Sequence, residues 1–330
     1  MKFEKSAEFG FGLHYSILTF NDTFHKSAYQ EFKKFFLENR EVKKWMIHTD
    51  YAFGDKIKNN DVVTFTFYPY LMKHEDLFEM INVLSRKDIK DTREVNGEFL
   101  KFIKNSPILN VSIILSRKRK LSYFDERDYF NSSLNKAIEQ LKYWEISTPE
   151  GKDYFSEIIE KFKVLQKVVK SPSANLKIIR DIEIISQLVA YLCLEINVLI
   201  DTELIGWFSD RDKILDYKKA KFDTPLIFDF IHNIYHVLCD NNSDIKGKKS
   251  ELIFVTPEKS GVLFYDDLNR IPDYICGALA DYDMKKKKFS HSKFEAIHDT
   301  IFLNNYKNII FKMDFSKKGF STENLYFYSV

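Results

Sequence analysis

Residues 43–71 constrain the fold more tightly than any other stretch of this chain. "KKWMIHTDY" (43–51) is apolar and aromatic and ends near Asp50, "FGDKIKNND" (53–61) is rich in turn formers, and "VVTFTFYPYL" (62–71) is dense in β-formers. Two such runs separated by a turn predict an antiparallel hairpin. Most of the chain beyond residue 71 has helical spacing, with strands set between. "HEDLFEMINVLSRK" predicts a helix and "NVSIILSR" (110–117) a third strand. Helices are expected near 125–144, 152–169 and 175–195, with Ser171-Pro172-Ser173 between the last two. "VLIDTELIGWFSD" (198–210) predicts another strand and "TPLIFDFIHNIYHVLCD" an amphipathic helix. "SELIFVTPE" and "SGVLFYDD" read as short strands, and "IPDYICGALADYDM" as a helix with Pro272 in its first turn. "FEAIHDTIFLN" and "NIIFKMDF" close the chain. Upstream, "GLHYSILTF" (12–20) reads as a strand or extended arm, and "HKSAYQEFKKFFLENR" as a helix presenting Phe32, Phe35 and Phe36 on one face. This order predicts an α/β class with a mixed sheet flanked by helices. The expected division is an N-terminal strand and helix extension over 1–42 and a main domain over 43–330, with a helical insertion at about 120–196.

Composition narrows the function classes. Ten glycines in 330 residues argue against a glycine-rich nucleotide fold, and no G-x-x-x-x-G-K-[ST], G-x-G-x-x-G or G-x-S-x-G occurs. Lys+Arg total 50 against 48 Asp+Glu, so nucleic-acid binding would need a local basic patch rather than a global excess. Cys193, Cys239 and Cys276 lie in apolar settings without a C-x-x-C pair, the usage of structural thiols in a reducing compartment. "MKFEKSAEFGFG" lacks the apolar core of a signal peptide, and no run reads as a membrane span. A cytoplasmic protein without a membrane partner is expected. The terminal "ENLYFYSV" is similar to a protease-tag site except for Tyr328, and carries no functional weight.

Three acids occupy related positions. Asp50 ends one strand, Asp210 ends another, and Asp273 opens a helix. In open α/β sheets, sites gather outside the carboxyl ends of strands. Convergent carboxylates suit hard cations such as Mg2+ or Mn2+. The plain alternative is that each acid caps a helix or ends a strand. Asp212, directly after Asp210-Arg211, is a cap or an auxiliary ligand. His48 shares a strand face with Asp50 and reads as a sheet histidine, a ligand support or a proton carrier.

"WMIHTDYAFGDKIKNNDVVTFTF", "LIGWFSDRDKI" and "NRIPDYICGALADYD" together resemble bacterial RNase H-like domains of the widespread uncharacterised kind. Those have a first strand ending in an acid, a turn and second strand, a later strand ending in an acid, and a final helix opening on apolar-Asp-apolar. The resemblance covers about residues 43–283. It implies an RNase H-like fold, catalytic and metal-binding roles for Asp50, Asp210 and Asp273, and phosphodiester hydrolysis with one or two Mg2+ or Mn2+ ions. Tyr51 departs from it, standing where such families often carry a second acid; Asp55 or Asp212 would have to supply that oxygen.

Basic residues offer a nucleic-acid surface: Arg117, Lys118, Arg119 and Lys120 after the third strand, with Tyr123 and Phe124 beside them, Lys285 to Lys288, and Arg211 beside Asp210. A solvated loop is the plain reading of such runs. His232 and His236 have the i, i+4 spacing of paired ligands but lack the zincin glutamate, since Asn233 follows the first histidine. Pro272-Asp273 with Asp283-Met284-Lys285 imitates a restriction-type pattern, yet both halves fall in one helical stretch. Asp281, about 12 Å along that helix from Asp273, cannot share its ion and should meet solvent or a basic partner. Gly277 on the same face should admit a close neighbouring backbone. Two functions are consistent with these residues: a metal-dependent nuclease, or an inactive interaction protein of a mobile-element or phage-defence locus that binds a protein partner or its own copy through the helical insertion.

Overall fold

The computed structural model describes residues 10–217, 222, 224–255 and 264–328. Strands β1 (Lys44–Ala52) and β2 (Asp61–Pro69) form the expected hairpin, with Asp50 opposite Thr64. β3 (Leu109–Leu115) pairs antiparallel with β2, and β4 (Leu204–Ser209) runs parallel to β1 on its other side. With β5 (Glu251–Phe254), β6 (Asn308–Ser316) and β7 (Gly319–Leu325), the seven-stranded mixed sheet has the order β5-β4-β1-β2-β3-β6-β7.

Helices cover both faces, which is why β2 and β3 are buried along their whole length. Odd-numbered residues of β1 to β3 (Trp45, Ile47, Val63, Phe65, Phe67, Val111) face one layer. That layer holds α1 (Tyr15–Ser27), α2 (Tyr29–Glu38), α5 (Glu126–Ser147), α6 (Lys152–Lys170), α7 (Leu176–Leu199) and α9 (Leu226–Asp240). Even-numbered residues (Met46, Val62, Tyr68, Ile114) face α3 (His74–Leu84), α4 (Gly97–Asn105), α10 (Asp266–Asp281) and α11 (Ser292–Ile297). The one-turn α8 (Lys213–Asp216) follows β4.

Several elements depart from the sequence-based expectation. Residues 12–20 are not a strand. His14 accepts from the backbone N–H of Ser16, and the chain continues as α1. Phe20, Phe24, Phe32 and Phe36 of α1 and α2 pack against Phe311, Phe67 and Trp45, so this extension belongs to the main core. Residues 198–199 belong to α7, not to the following strand. α7 is long and apolar enough to cross a bilayer by length and composition, contrary to expectation, yet 94% of its most apolar window is buried inside the fold. β7, unanticipated, pairs with β6, and the Tyr326 hydroxyl donates to the Ser27 carbonyl, so part of "ENLYFYSV" is built into the fold. The first half of the expected strand "SGVLFYDD" lies outside the described residues, and its second half is no strand, since Phe264 and Tyr265 form a turn and Asp266 and Asp267 open α10.

α10 begins six residues before Pro272 rather than beside it. Proline has no N–H to give the carbonyl four residues back. That carbonyl, on Leu268, instead accepts from the Tyr68 hydroxyl at 2.7 Å. The far end of α10 is also occupied. Asn59 and Asn60, in the β1–β2 turn, donate backbone and side-chain N–H groups to the carbonyls of Leu279, Ala280, Asp281 and Tyr282. These are the orphan acceptors every helix end leaves.

Arg119 sits in none of the places a nucleic-acid contact would need. It is buried, its Nη1 lies 2.6 Å from Asp61 and its Nε 2.8 Å from Asp181, and Phe53 covers its face. This ion triad ties the start of β2, the segment after β3 and α7 together. Removing the cation leaves Asp181 and Asp61 buried without their close partner, with Arg117 3.9 Å from Asp61 as a weaker substitute. Arg119→Ala is expected to lower unfolding free energy by about 3–5 kcal/mol, read from the urea midpoint. A loss under about 1 kcal/mol would mean that water reaches the carboxylates.

Candidate functional site: an acid-lined cavity beneath α10

Asp50 and Asp210 lie at adjacent ends of parallel strands. The register pairs Thr49 with Ser209, and the Asp210 N–H donates to the Thr49 carbonyl at 2.8 Å. Parity sends Asp50, like His48 and Met46, to the face that α10 covers. Tyr265, at the start of α10, anchors that helix to β4 by donating to the Ser209 carbonyl at 3.1 Å. Asp273, on α10, completes the group. Asp50, Asp210 and Asp273 all line one cavity of about 860 Å³.

The electrostatics show how close these acids stand. Burial pushes the Asp50 carboxyl well above its ordinary range, and the charges of Asp273 and Asp210 push it further. Asp210 is raised chiefly by burial, while a side-chain hydrogen bond with Asp50 partly stabilises its charge. The two carboxyls as a pair therefore hold protons more tightly than isolated ones do. Asp273 is raised to about 7 by burial first, with Asp88 and Asp210 adding to it; the Ile89 N–H, donating to Oδ2 at 2.6 Å, opposes the rise. Cys276, one turn on from Asp273, is buried with its Sγ donating to the Val62 carbonyl at 3.5 Å, and its thiol is raised by burial first and then by Asp50.

Other cavity residues carry opposite charge. Arg270 pairs with Asp88 and, at 2.8 Å, with Asp267. Lys293 donates to the carbonyls of Ile89 and Thr92, both at 2.7 Å, and Lys58 reaches Asp281 at 3.4 Å. Both lysines stack over Phe294. Burial and the neighbouring Lys58 lower the Lys293 ammonium below its ordinary value. Asp281 is buried, with Lys58 and both the N–H and hydroxyl of Ser290 as partners. A Cβ added to Gly277 would come 2.7 Å from the Ile89 side chain, so the close neighbour is a side chain, not the expected backbone. Sequence reasoning missed Asp88, Arg270 and Lys293. They lie far apart along the chain, and only α10 packing beside residues 88–92 brings them together.

The remaining sequence candidates divide. Asp212 caps α8 by accepting from the Ile214 N–H at 3.0 Å and does not line the cavity, so its place is the cap. Asp55 lines the cavity but turns back to accept from the Ile57 N–H. Tyr51 points the other way, bonding Ser209 at 2.9 Å. His48 is fully buried, with Nδ1 2.8 Å from the Asn269 Oδ1 and its ring stacked on Phe208. Burial lowers it to about 3, so near neutrality it is an uncharged ring whose Nδ1–H donates to the Asn269 Oδ1. Arg211 lines the cavity. Arg117 donates to the carbonyls of Asp55 and Lys58, bracing the β1–β2 turn, whereas Lys118 and Lys120 stand exposed.

No group of three or more His, Cys, Asp or Glu side chains among the described residues is arranged to hold an ion as it stands. The donor chemistry nevertheless fits one. Three carboxyls raised by burial, with Asp50 and Asp273 raised further by neighbouring acids, are what a hard divalent cation would relieve, and their oxygens are its preferred ligands. No protein-family model, curated protein or solved structure matches the chain.

Because the folded-state value of Asp273 lies above its unfolded value, its contribution to stability is present below about pH 4. It is lost as pH rises through about 7. Asp273→Asn removes that loss. In chelator, the variant is expected to exceed the parent by about 1–3 kcal/mol at pH 8, with the difference vanishing near pH 4. Urea titrations at the two pH values measure this; equal stability at pH 8 would show that Asp273 ionises freely.

Proposed function

We propose that the protein is a metal-dependent phosphodiesterase of RNase H-like fold, acting on nucleic acid. The observation that carries this reading is the convergence of Asp50, Asp210 and Asp273 in one cavity at the carboxyl ends of β1 and β4. The element order supports it too: a first strand ending in an acid, an antiparallel second strand, a later parallel strand ending in an acid, and a helix bearing the third acid.

In this reading Asp50, Asp210 and Asp273 would hold one or two Mg2+ or Mn2+ ions, which would supply charge neutralisation and activation of water at the phosphodiester. Asp50, raised by burial and by the charges of Asp273 and Asp210, would gain most from a bound cation. Arg270 keeps Asp88 and Asp267 neutralised, so the extra acids do not repel a phosphate. Lys58, Lys293 and Arg211 orient the anionic backbone from the cavity wall. Asn269, held by His48, presents an amide to the same space. Exposed Lys118 and Lys120 extend the basic surface outside the cavity.

Mn2+-dependent cleavage of single- and double-stranded DNA and RNA tests the reading. Asp210→Asn is expected to lower the rate by at least about 100-fold with an unchanged circular dichroism spectrum. A variant that cleaves like the parent would sink the proposal. A second reading, a protein-binding module, draws on Tyr143 and Ile146, which stand 67% and 81% exposed near the end of α5. It is favoured if no substrate is cleaved and Asp210→Asn leaves partner capture intact.

A further inference from the structure

We propose that His232 and His236 form a second metal site, selective for a borderline divalent cation of the Zn2+ or Ni2+ class and separate from the acid-lined cavity. Both histidines project from α9, one turn apart, and both are partly exposed at its edge. Their Nε2 atoms lie 3.1 Å apart. At the usual metal–nitrogen distance of about 2.0–2.1 Å, two nitrogens so spaced subtend about 100° at an ion, between the tetrahedral and octahedral angles. With the His232 proton on Nδ1, His236 donates its Nε2–H to the His232 lone pair; moving that one proton to the His236 Nδ1 would free both Nε2 atoms for one ion.

The surroundings fix this arrangement from behind. Nδ1 of His232 lies 2.8 Å from the Tyr154 hydroxyl on α6, and the Asn233 side-chain N–H donates to the same oxygen at 3.2 Å. The rings of His232 and Tyr154 meet edge-on at 5.4 Å. A phenol oxygen can accept from Nδ1–H, which leaves the Nε2 lone pair free for an ion and orients the ring. Both imidazoles are uncharged near neutrality. Burial, reinforced by His236, lowers His232 to about 4, and burial with Lys249 nearby lowers His236 against the opposing pull of Asp240. Imidazole donors favour Zn2+, Ni2+, Co2+ or Cu2+ over Mg2+. Since no third His, Cys, Asp or Glu among the described residues joins the pair, water fills the remaining positions and the site stays open to an exogenous ligand.

The test is calorimetric titration of tag-free, metal-stripped protein with Zn2+ in millimolar Mg2+. One Zn2+ per chain is expected. His232→Gln and His236→Gln should each weaken it by about tenfold or more, and Tyr154→Phe by several-fold. Asp210→Asn, which disarms the other cavity, should bind Zn2+ like the parent. Nitrogen-15 spectra of the eight histidines give a readout that needs no variant: Zn2+ should shift the Nε2 signals of two imidazoles. Unchanged affinity in both histidine variants, or loss of binding in Asp210→Asn alone, would overturn the site.

Discussion

The parallel pairing of β1 with β4 is the constraint on which the rest depends. The register runs from Lys44 beside Leu204 to Thr49 beside Ser209, and the Asp210 N–H on the Thr49 carbonyl extends it to the end where the carboxylates meet. Parallel neighbours cannot be joined by a short turn. The long route between them, through β2, β3 and α5 to α7, is the topological cost of bringing Asp50 beside Asp210. That route also supplies both faces of the sheet with their cover.

The third acid depends on a different device. α10 is held in its first turn by Tyr265 on the Ser209 carbonyl and by Tyr68 on the Leu268 carbonyl, and at its end by Asn59 and Asn60. Each tether comes from or reaches the β1–β2–β4 core. The hairpin turn does more than reverse the chain, because it caps the helix that carries Asp273. Arg117 braces the same turn from the side. Beneath α10 the sheet face is polar, with Thr64 bonded to Ser112 and Thr66 to Asn110, which bonds Asn308 in turn. These side chains satisfy one another, so a polar stripe remains buried at little cost.

The two strand-end acids could be read in advance because strand alternation and the turn residues are local signals. So could α2, α5, α6, α7 and α9, whose apolar periodicity runs over two turns or more. The segment over 12–20 misled because Ile17, Leu18, Thr19 and Phe20 suit a strand over a short window; the His14 cap decides for a helix. β7 is half polar and pairs on one side only, which leaves little apolar signal. Pro272 suggested a helix start because the tyrosine that satisfies the orphaned carbonyl comes from a strand far away in the chain. Arg119 looked like part of a basic loop; its burial is set by Asp61 and Asp181, which no local pattern reveals.

α7 has the length and apolarity of a bilayer-crossing segment, and the fold hides it by surrounding it. That has a consequence for the chain during synthesis. When α7 first emerges, α1, α2 and the β1–β3 strands already exist to shield one side, but β4 and α9 do not. The nascent protein then carries an uncovered greasy rod that only later residues can close over. Any truncation or slow step between residues 200 and 240 would prolong that state and direct the chain towards chaperones or aggregation. The same burial makes α9, whose outer edge bears His232 and His236, the lid on the one helix among the described residues that is long and apolar enough to cross a bilayer.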